Sequence, residues 1–226
     1  MDHIKLLISG SEYVGAFGCA NDKYAFTGFL PKKTVGLISS TLDVEAIEIS
    51  INSSNLIGLF TAANSSAIGV SNLISKYELN VLKEKLREKG SDINVGIINS
   101  DLNSIGNNIL VNDKIAFVHE EYDSTAISEI EDIFGVEVVK GSIAGFKTIG
   151  ATNILTNKGF AINNNSSDDE KNKMDGLFGF DSIPTTANNG SLFIGLAAIA
   201  NSRGIVIGDN TTGFELTRMI ESLNLE

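Results

Sequence analysis

Apolar and polar positions along the chain follow a phrase that recurs five times. Each copy contains an aliphatic residue followed by glycine, a short apolar segment, a polar turn of four residues and a second apolar segment. The glycines of successive copies are 43, 48, 44 and 45 residues apart, and this near-constant spacing indicates a duplicated structural unit. The five glycines are Gly15, Gly58, Gly106, Gly150 and Gly195.

The polar turn in each copy predicts the tip of a β-hairpin. The five turns read NDKY, NSSA, NDKI, TNKG and NSRG, and they separate apolar segments such as AFGCA and AFTG. Asn and Gly tolerate the positive φ angles of tight turns, so apolar segments joined in this way are typical of paired strands. Asn opens four of the turns, at Asn21, Asn64, Asn112 and Asn201, and Thr156 opens the remaining one.

A helical pattern and a further strand follow the hairpins. Apolar residues at helical spacing predict five helices, of which the first has the weakest pattern. These helices are predicted at 31–41, 77–89, 123–134, 168–178 and 211–223. Apolar segments at 45–51, 92–98 and 136–143 predict a third strand after the helix. Each unit therefore reads as strand, strand, helix, strand, which defines an α/β fold.

We expect one domain built from these five units. One unit of this size cannot bury both faces of its hairpin, but five units in a ring could share a continuous core. The last unit ends after its helix, so the apolar segment 3–9 is expected to supply the missing strand and close the ring. Such closure would remove free sheet edges and favours a monomer. The expected repeats are about 10–53, 54–100, 101–144, 145–190 and 191–226.

Composition and charge limit the kinds of partner. The chain has 226 residues and a formal net charge of −11, which argues against binding driven mainly by phosphate backbones and suits a basic protein partner. No apolar run approaches the roughly 20 residues that a membrane-spanning helix needs, so no membrane partner is predicted. The single cysteine, Cys19, excludes an internal disulfide and fits a cytoplasmic location.

Few residues are suited to chemistry. The two histidines, His3 and His119, and Cys19 are too widely spaced for a zinc site, and no glycine-rich phosphate motif is present. Cys19 lies in the apolar segment AFGCA and is interpreted as a small buried hydrophobe. His119 ends a predicted strand beside Glu120 and Glu121 and is interpreted as a surface residue, with a general base as the minor alternative. We therefore predict no catalytic residue, metal, cofactor or small-molecule substrate.

Three long segments resemble the archaeal type of the translation initiation factor 6 family. They read IGNNILVNDKIAFVHEEYDS, GVEVVKGSIAGFKTIGATNILTNKGFAI and IGLAAIANSRGIVIGDNTTGFELTRMIESL. The phrases GDNTTGFEL at 208–216 and VVKGSIAG at 138–145 are the most specific parts. The resemblance covers essentially the whole chain. It implies a pentein fold, a five-bladed α/β propeller with pseudo-five-fold symmetry.

The resemblance also implies a function and a partner. Members of this family bind the intersubunit face of the large ribosomal subunit and block premature joining of the small subunit. Because the chain is acidic, we expect contacts mainly to ribosomal proteins, with some contact to ribosomal RNA. If the family's binding surface carries over, the contact candidates are Asn64, Ser65, Asn112, Asp113, Lys114 and Arg203.

Four repeated asparagines have two compatible interpretations. Asn favours hairpin tips through its local turn chemistry, which would by itself explain the repetition. A ring would also bring the side chains to equivalent positions around the pseudo-axis, where they could hydrogen-bond one another or a partner. The candidates for this polar ring are Asn21, Asn64, Asn112 and Asn201, and Thr156 is expected to contribute less.

Two other functions stay open at this point. Penteins include enzymes such as arginine deiminase, which hydrolyse or transfer guanidino groups with a Cys nucleophile late in the chain. The only thiol here, Cys19, is near the start, which argues against this alternative. The second alternative is an assembly scaffold for another basic protein, and only a test of subunit joining would separate it from the ribosomal function.

Overall fold

The fold consists of small sheets joined by helices. The computed structural model describes residues 2–225, and within them there are five three-stranded sheets, eight α-helices and a one-turn 3-10 helix at Val14–Phe17. None of the helices in this part of the chain is long and apolar enough to cross a bilayer. The α/β class predicted from the sequence is therefore confirmed.

Strands and helices are numbered in chain order. The strands are β1 (His3–Leu6), β2 (Gly18–Ala20), β3 (Tyr24–Thr27), β4 (Glu45–Glu48), β5 (Thr61–Ala63), β6 (Ala67–Ser71), β7 (Asn94–Ile98), β8 (Ile109–Val111), β9 (Ile115–His119), β10 (Glu137–Gly141), β11 (Ile154–Leu155), β12 (Phe160–Asn163), β13 (Ile183–Thr185), β14 (Ala198–Ala200) and β15 (Ile205–Gly208). The helices are α1 (Lys32–Leu42), α2 (Ile57–Phe60), α3 (Lys76–Glu88), α4 (Ile105–Asn108), α5 (Ser124–Phe134), α6 (Ile149–Thr152), α7 (Asp168–Phe178) and α8 (Gly213–Ser222).

All five sheets share one topology. The first two strands form an antiparallel hairpin, and the third strand pairs with the second in parallel after the long helix. In the last sheet the third strand is β1, which pairs with β15 from His3 opposite Ile205 to Leu6 opposite Gly208. The expected pairing of the N-terminal segment with the last unit is confirmed. The sheets stay separate, and none within residues 2–225 closes on itself.

The long helices begin and end where local chemistry predicts. Ser75, Ser167 and Thr212 cap α3, α7 and α8 and form capping boxes with a Glu three residues later. The helices α5 and α7 end at Gly135 and Gly179, which adopt the left-handed conformation. All five predicted helices are confirmed, with bounds that differ from the structure by no more than two residues.

The apolar segment after each repeated glycine differs from the prediction. The sequence pattern predicted a strand there, but in four units the segment starts as a one-turn helix that contains the glycine. The inner strand that follows has only two or three residues. The helical turn presents the glycine backbone to the neighbouring unit, as the contacts of the glycines show.

The repeated glycines form a closed ring of backbone contacts. A Cβ atom placed on any of them would overlap the carbonyl oxygen of the repeated glycine in the preceding unit. Gly58 meets Gly15, Gly106 meets Gly58, Gly150 meets Gly106, Gly195 meets Gly150, and Gly15 meets Gly195. The order of contacts returns to its start, so the five units surround one axis.

Hydrophobic burial joins neighbouring units. The core consists of five clusters, and each of them combines residues from two successive units. Phe26 and Ile47 of the first unit pack with Leu82 and Leu86 of the second. The cluster that contains Ile199 and Val206 of the last unit continues into Ile38 and Leu42 of the first unit. Each unit therefore depends on both neighbours for its buried surface.

We predict that Gly106→Ala destabilises the fold strongly. Its new Cβ would collide with the Gly58 carbonyl oxygen, which belongs to a backbone that cannot rotate away. We expect a loss of about 3 kcal/mol in the free energy of unfolding, measured by urea denaturation. Gly176→Ala on the exposed face of α7 is the control, because a Cβ there meets nothing and should stabilise by up to about 1 kcal/mol. Equal denaturation midpoints for the two variants would contradict the ring of contacts.

Candidate functional site

Two surfaces lie at opposite ends of the axis. The tip face carries the hairpin turns, at 21–23, 64–66, 112–114, 156–158 and 201–203. The loop face carries the loops that follow the second and third strands of each unit and the N-termini of the long helices, because these two parallel strands both run away from the tip. A cavity of about 110 Å³ on the axis is lined by the glycine ring and the inner strands.

Asparagine amides link the turns on the tip face. Asn201 Nδ2 donates to the backbone oxygen of Asn21 at 3.1 Å, and Asn21 Nδ2 donates to that of Asn64 at 2.7 Å. Asn64 Nδ2 reaches the Asn112 oxygen at 3.3 Å, and Asn112 Nδ2 reaches the Thr156 oxygen at 3.2 Å. Thr156 has no amide, and its hydroxyl donates to its own turn. The bonds therefore run around the axis with a gap after Thr156.

The oxygen of each asparagine holds its own turn. Asn112 Oδ1 accepts hydrogen bonds from the backbone N–H groups of Lys114 at 2.9 Å and Ile115 at 3.1 Å. Asn21, Asn64 and Asn201 make the same pair of bonds. One side chain thus fixes the turn through its oxygen and joins the next turn through its nitrogen. Both interpretations drawn from the sequence therefore apply: the amide oxygen provides the local turn chemistry, and the amide nitrogen forms the polar ring.

Burial separates these amides from the surface. Asn64 and Asn112 are each 3% exposed, and Asn64 Nδ2 also donates to the Phe134 carbonyl at the end of α5 at 3.0 Å. Asn201 makes the equivalent bond to the Leu42 carbonyl at the end of α1 at 2.9 Å. As partner contacts, Asn64 and Asn112 stay predictions, and the burial of their bonded side chains argues against that role.

A second polar layer covers the asparagines. It consists of the residue after each ring position: Asp22, Ser65, Asp113, Asn157 and Ser202. Asn157 Nδ2 lies 2.7 Å from Asp22 Oδ2 and 2.9 Å from Asp113 Oδ2, and the Ser65 N–H donates to Asp113 Oδ1 at 2.7 Å. Sequence reasoning singled out only Ser65 and Asp113 of this layer. It missed Asp22, Asn157 and Ser202, although each of them directly follows a ring position.

Cations surround the polar layer. The third turn position is Lys23, Lys114, Lys158 or Arg203 in four units, and all four are exposed. Lys23 pairs with Asp92 at 2.9 Å, and Arg203 lies 3.6 Å from Asp43 while its guanidinium donates to the Asp22 backbone oxygen. Of the predicted contact residues, Asp113, Lys114 and Arg203 are therefore accessible, Ser65 is half-buried, and Asn64 and Asn112 are buried.

The loop face carries the exposed apolar surface. Every large hydrophobic side chain that is exposed within residues 2–225 lies there, and the set is Leu7, Phe29, Leu73, Tyr77, Phe193 and Phe214. Tyr77 is 77% exposed and Phe214 is 72% exposed. Lys85 lies 5.3 Å above the Phe29 ring, and Arg218 lies 5.5 Å from the Phe214 ring. Large apolar side chains exposed on one face of a molecule are a candidate interaction surface.

Carboxylates at the helix starts hold the tight turns of the loop face. Glu78 accepts the N–H groups of Asn52 at 3.1 Å and Ser53 at 2.9 Å, and both of these residues have positive φ. Glu215 holds the turn at 189–190 in the same way, and Glu170 accepts the Ala144 N–H at 2.9 Å. Burial opposes ionisation of Glu78, but hydrogen bonds from Ser75, Ser53 and Ser50 outweigh it and lower the pKa to about 2.

Cys19 lines the cavity on the axis. The residue is half-buried rather than fully buried as the sequence indicated, and its sulfur lies 3.1 Å from Thr61 Oγ1. Desolvation of the sulfur raises the pKa of the thiol to about 11. The group is therefore protonated near neutral pH and unsuited to nucleophilic attack. No group of three or more His, Cys, Asp and Glu side chains in residues 2–225 is arranged to hold a metal ion.

The interpretation of His119 as a surface residue was wrong. The residue ends β9, is 6% exposed, and packs edge-on against the Tyr122 ring. Its Nδ1 accepts the Glu121 N–H at 3.1 Å, and burial lowers the pKa of the imidazole. The sequence placed His119 beside two exposed acids, but all five residues of β9 are buried, so the ring is enclosed whichever face of the strand it occupies.

The chain belongs to the eIF-6 family, whose family model matches residues 3–222. This assigns it to a class of translation initiation factors.

Curated archaeal relatives named translation initiation factor 6 match nearly the whole chain. The protein of Pyrococcus horikoshii is 37% identical over 223 residues, which cover 98% of each chain. That of Picrophilus torridus is 35% identical over 97% of this chain and 99% of its own. That of Methanocaldococcus jannaschii is 34% identical over 98% of each chain. The resemblance noted in the sequence is thereby confirmed.

We predict that Asn112→Ala destabilises the fold by about 3 kcal/mol, because the bonds to Thr156, Lys114 and Ile115 are lost in a buried site.

We further predict that Thr156→Asn raises stability, because it supplies the amide that is missing from the ring between Thr156 and Asn201. Thermal and urea unfolding measure the effects of both the Asn112 and the Thr156 substitutions. Asn80→Ala on the exposed face of α3 is the control and should change little. A Thr156→Asn variant that is less stable than wild type would contradict the linked ring.

We predict a pH-dependent effect of Glu78→Gln. The pKa of Glu78 is lower in the folded chain than its ordinary value of 4.5, so its stabilising effect is full above pH 4.5 and disappears as the pH falls through about 2. Loss of the charged hydrogen bonds should cost about 2 kcal/mol at neutral pH. Unfolding free energies across this pH range measure it, with the exposed Glu84→Gln on the same helix as the control. A difference from wild type that is independent of pH would contradict the assignment.

Proposed function

We propose that this protein binds the intersubunit face of the large ribosomal subunit and sterically blocks joining of the small subunit. The observation that carries the proposal is the match of the eIF-6 family over residues 3–222. The action needs affinity and bulk rather than turnover. Stable contacts between each unit and its two neighbours suit a rigid obstacle of this kind.

We further propose that the five sheets are the blades of a pentein, a five-bladed α/β propeller with pseudo-five-fold symmetry. The cyclic order of glycine contacts supports this assignment, because each unit meets the same element of its neighbour. The repeated sheet topology and the five shared core clusters support it as well. Pairing of β1 with β15 joins the two ends of the chain in the last blade.

The loop face is the better candidate for the binding surface. Interface cores are rich in aromatic residues and poor in charge, and a few such residues carry most of the binding energy. Tyr77, Phe214 and Phe29 provide such groups. The accessible tip-face candidates are charged, and two of them, Asp113 and Arg203, are engaged within the chain. Truncating an exposed aromatic ring also removes little internal packing, so its effect on binding can be measured separately.

The charge of the chain favours ribosomal proteins as the main contacts. A net charge of −11 opposes the approach of a bare RNA backbone and complements basic proteins. The cations of the tip face are the competing surface, and RNA contact would use them first. Lys114 and Arg203 are the members of that surface that the sequence singled out.

Guanidino-group hydrolysis is the less favoured function. It would require Cys19 to act as a nucleophile, but the pKa of its thiol is raised to about 11 by burial. The sulfur also contacts Thr61 on the axis of the molecule rather than a histidine. Guanidine turnover that disappears in Cys19→Ser would support this alternative.

Cosedimentation with purified large and small archaeal subunits tests the main proposal. We expect the protein to travel with isolated large subunits and to reduce the yield of joined ribosomes in proportion to its occupancy. Its appearance only on joined ribosomes would overturn the proposal. Binding to large subunits without any effect on joining would favour the scaffold alternative.

We predict that the double variant Tyr77→Ala and Phe214→Ala lowers affinity for large subunits at least about tenfold, because interface aromatic residues are worth more than about 1.4 kcal/mol. Both side chains are largely exposed, so the fold should be unaffected. The matched tip-face variant, Lys114→Ala with Arg203→Ala, should change affinity little. Loss of binding in the tip-face variant alone would transfer the binding surface to the hairpin tips.

A further inference from the structure

The sequence contains one Asn–Gly pair, at Asn189 and Gly190. The pair lies in the exposed turn of the loop face that connects the bridge partners Ala187 and Ser191. Asn188, Asn189 and Gly190 have φ angles of 47°, 60° and 105°, which place the whole turn in the left-handed region. Glycine adopts such angles without strain. The turn is therefore held in one unusual conformation.

Glu215 of α8 accepts hydrogen bonds from this turn with both of its carboxylate oxygens. Its Oε1 accepts the Gly190 N–H at 2.8 Å, and its Oε2 accepts the Asn189 N–H at 3.2 Å. The Thr186 hydroxyl at 2.7 Å and the Thr212 N–H at 2.7 Å hold the carboxylate in place. Glu215 is 5% exposed, so water competes little for these bonds.

An Asn–Gly pair has an intrinsic reaction in water. The Gly190 nitrogen loses its proton and attacks Cγ of Asn189, and the bond from Cγ to the side-chain nitrogen breaks. Ammonia leaves with the proton, and a cyclic succinimide remains. Water then opens either carbonyl–nitrogen bond of the ring to give aspartate or isoaspartate. Glycine is the most permissive neighbour for this attack because it has no side chain.

The hydrogen bonds to Glu215 oppose the first step of this reaction, the attack of the Gly190 nitrogen on Asn189 Cγ. The proton that must leave the Gly190 nitrogen is the one donated to Glu215 Oε1. Removing it would place a negative nitrogen next to a buried carboxylate, which like charges disfavour. The two bonds also fix the turn and prevent the rotation that brings the nitrogen to Cγ.

We propose that Asn189–Gly190 is a latent deamidation site that the Glu215 carboxylate protects while α8 stays packed on the turn. Opening of α8 releases the Gly190 N–H and starts the reaction. Either product then prevents the turn from closing again as before. Aspartate adds a charge beside Glu215, and isoaspartate lengthens the backbone by one methylene group. Once an opening of α8 has led to deamidation of Asn189, the change in the turn is therefore irreversible.

The chain contains its own matched comparison. Asn52–Ser53 forms a turn in which Glu78 accepts both N–H groups, at 3.1 and 2.9 Å, in the same arrangement. The residue after the asparagine is serine there, and its side chain hinders attack by the backbone nitrogen. This turn should convert slowly whether the fold is open or closed.

Peptide mass spectrometry of aged protein tests the proposal. Wild-type chain is held at mildly alkaline pH with and without denaturing urea, and deamidation is measured at residues 189 and 52. We expect conversion of Asn189 to be about tenfold faster in urea, because a hydrogen bond to a charged group is lost. Asn52 should convert slowly in both samples. Equal rates at Asn189 in native and urea-unfolded chains would overturn the proposal.

A variant separates the carboxylate from the fold as a whole. Glu215→Gln should accelerate native-state conversion of Asn189 about tenfold, whereas Glu221→Gln on the exposed face of the same helix should leave the rate unchanged. Circular dichroism establishes that each variant is folded. A folded Glu215→Gln variant with the wild-type rate would contradict the role of Glu215. If that variant does not fold, the comparison with urea decides alone.

Discussion

Five backbones meet around the axis at distances that leave no space for a Cβ atom, and this close approach determines the remaining geometry. It sets the radius of the ring and therefore the spacing of the inner strands. At that spacing the amide of one hairpin tip reaches the carbonyl of the next tip. The glycine ring at one end and the asparagine ring at the other, for example Gly106 and Asn112, are two results of one radius.

The contacts that stabilise the fold and the exposed apolar side chains lie in different parts of the molecule. Apolar burial lies between neighbouring units, and polar bonds along the axis keep the units in register. Both are internal, so the surface is free to vary in character from one face to the other. The tip face contains a network of hydrogen bonds between turns, whereas the loop face carries exposed aromatic rings. An acidic chain with one apolar face suits a partner that is basic and partly apolar.

The fold could largely be predicted from the sequence, because its signals are local and repeated five times. Hairpin turns, helix caps and helical periodicity each depend on a few adjacent residues, and the pairing of β1 followed from the incomplete last unit. The one-turn helices, the bonds of Asn157 and the burial of His119 could not be predicted in this way. Each depends on contacts between residues that are distant in the sequence. The exposure of Tyr77 also could not be predicted, because helical periodicity shows which residues share a face but not which neighbouring elements cover that face.

The pairing of β1 with β15 has a consequence for folding during synthesis of the chain. The strand β1 leaves the ribosomal exit tunnel before every other strand described here, and its partner β15 leaves after all of them. Earlier units can pack in succession as they emerge, but β1 has no partner until β15 has been synthesised. A chain cut short by premature termination would keep both an unpaired strand and an open flank. This one pairing therefore separates a chain that has reached β15 from a chain that stops before it.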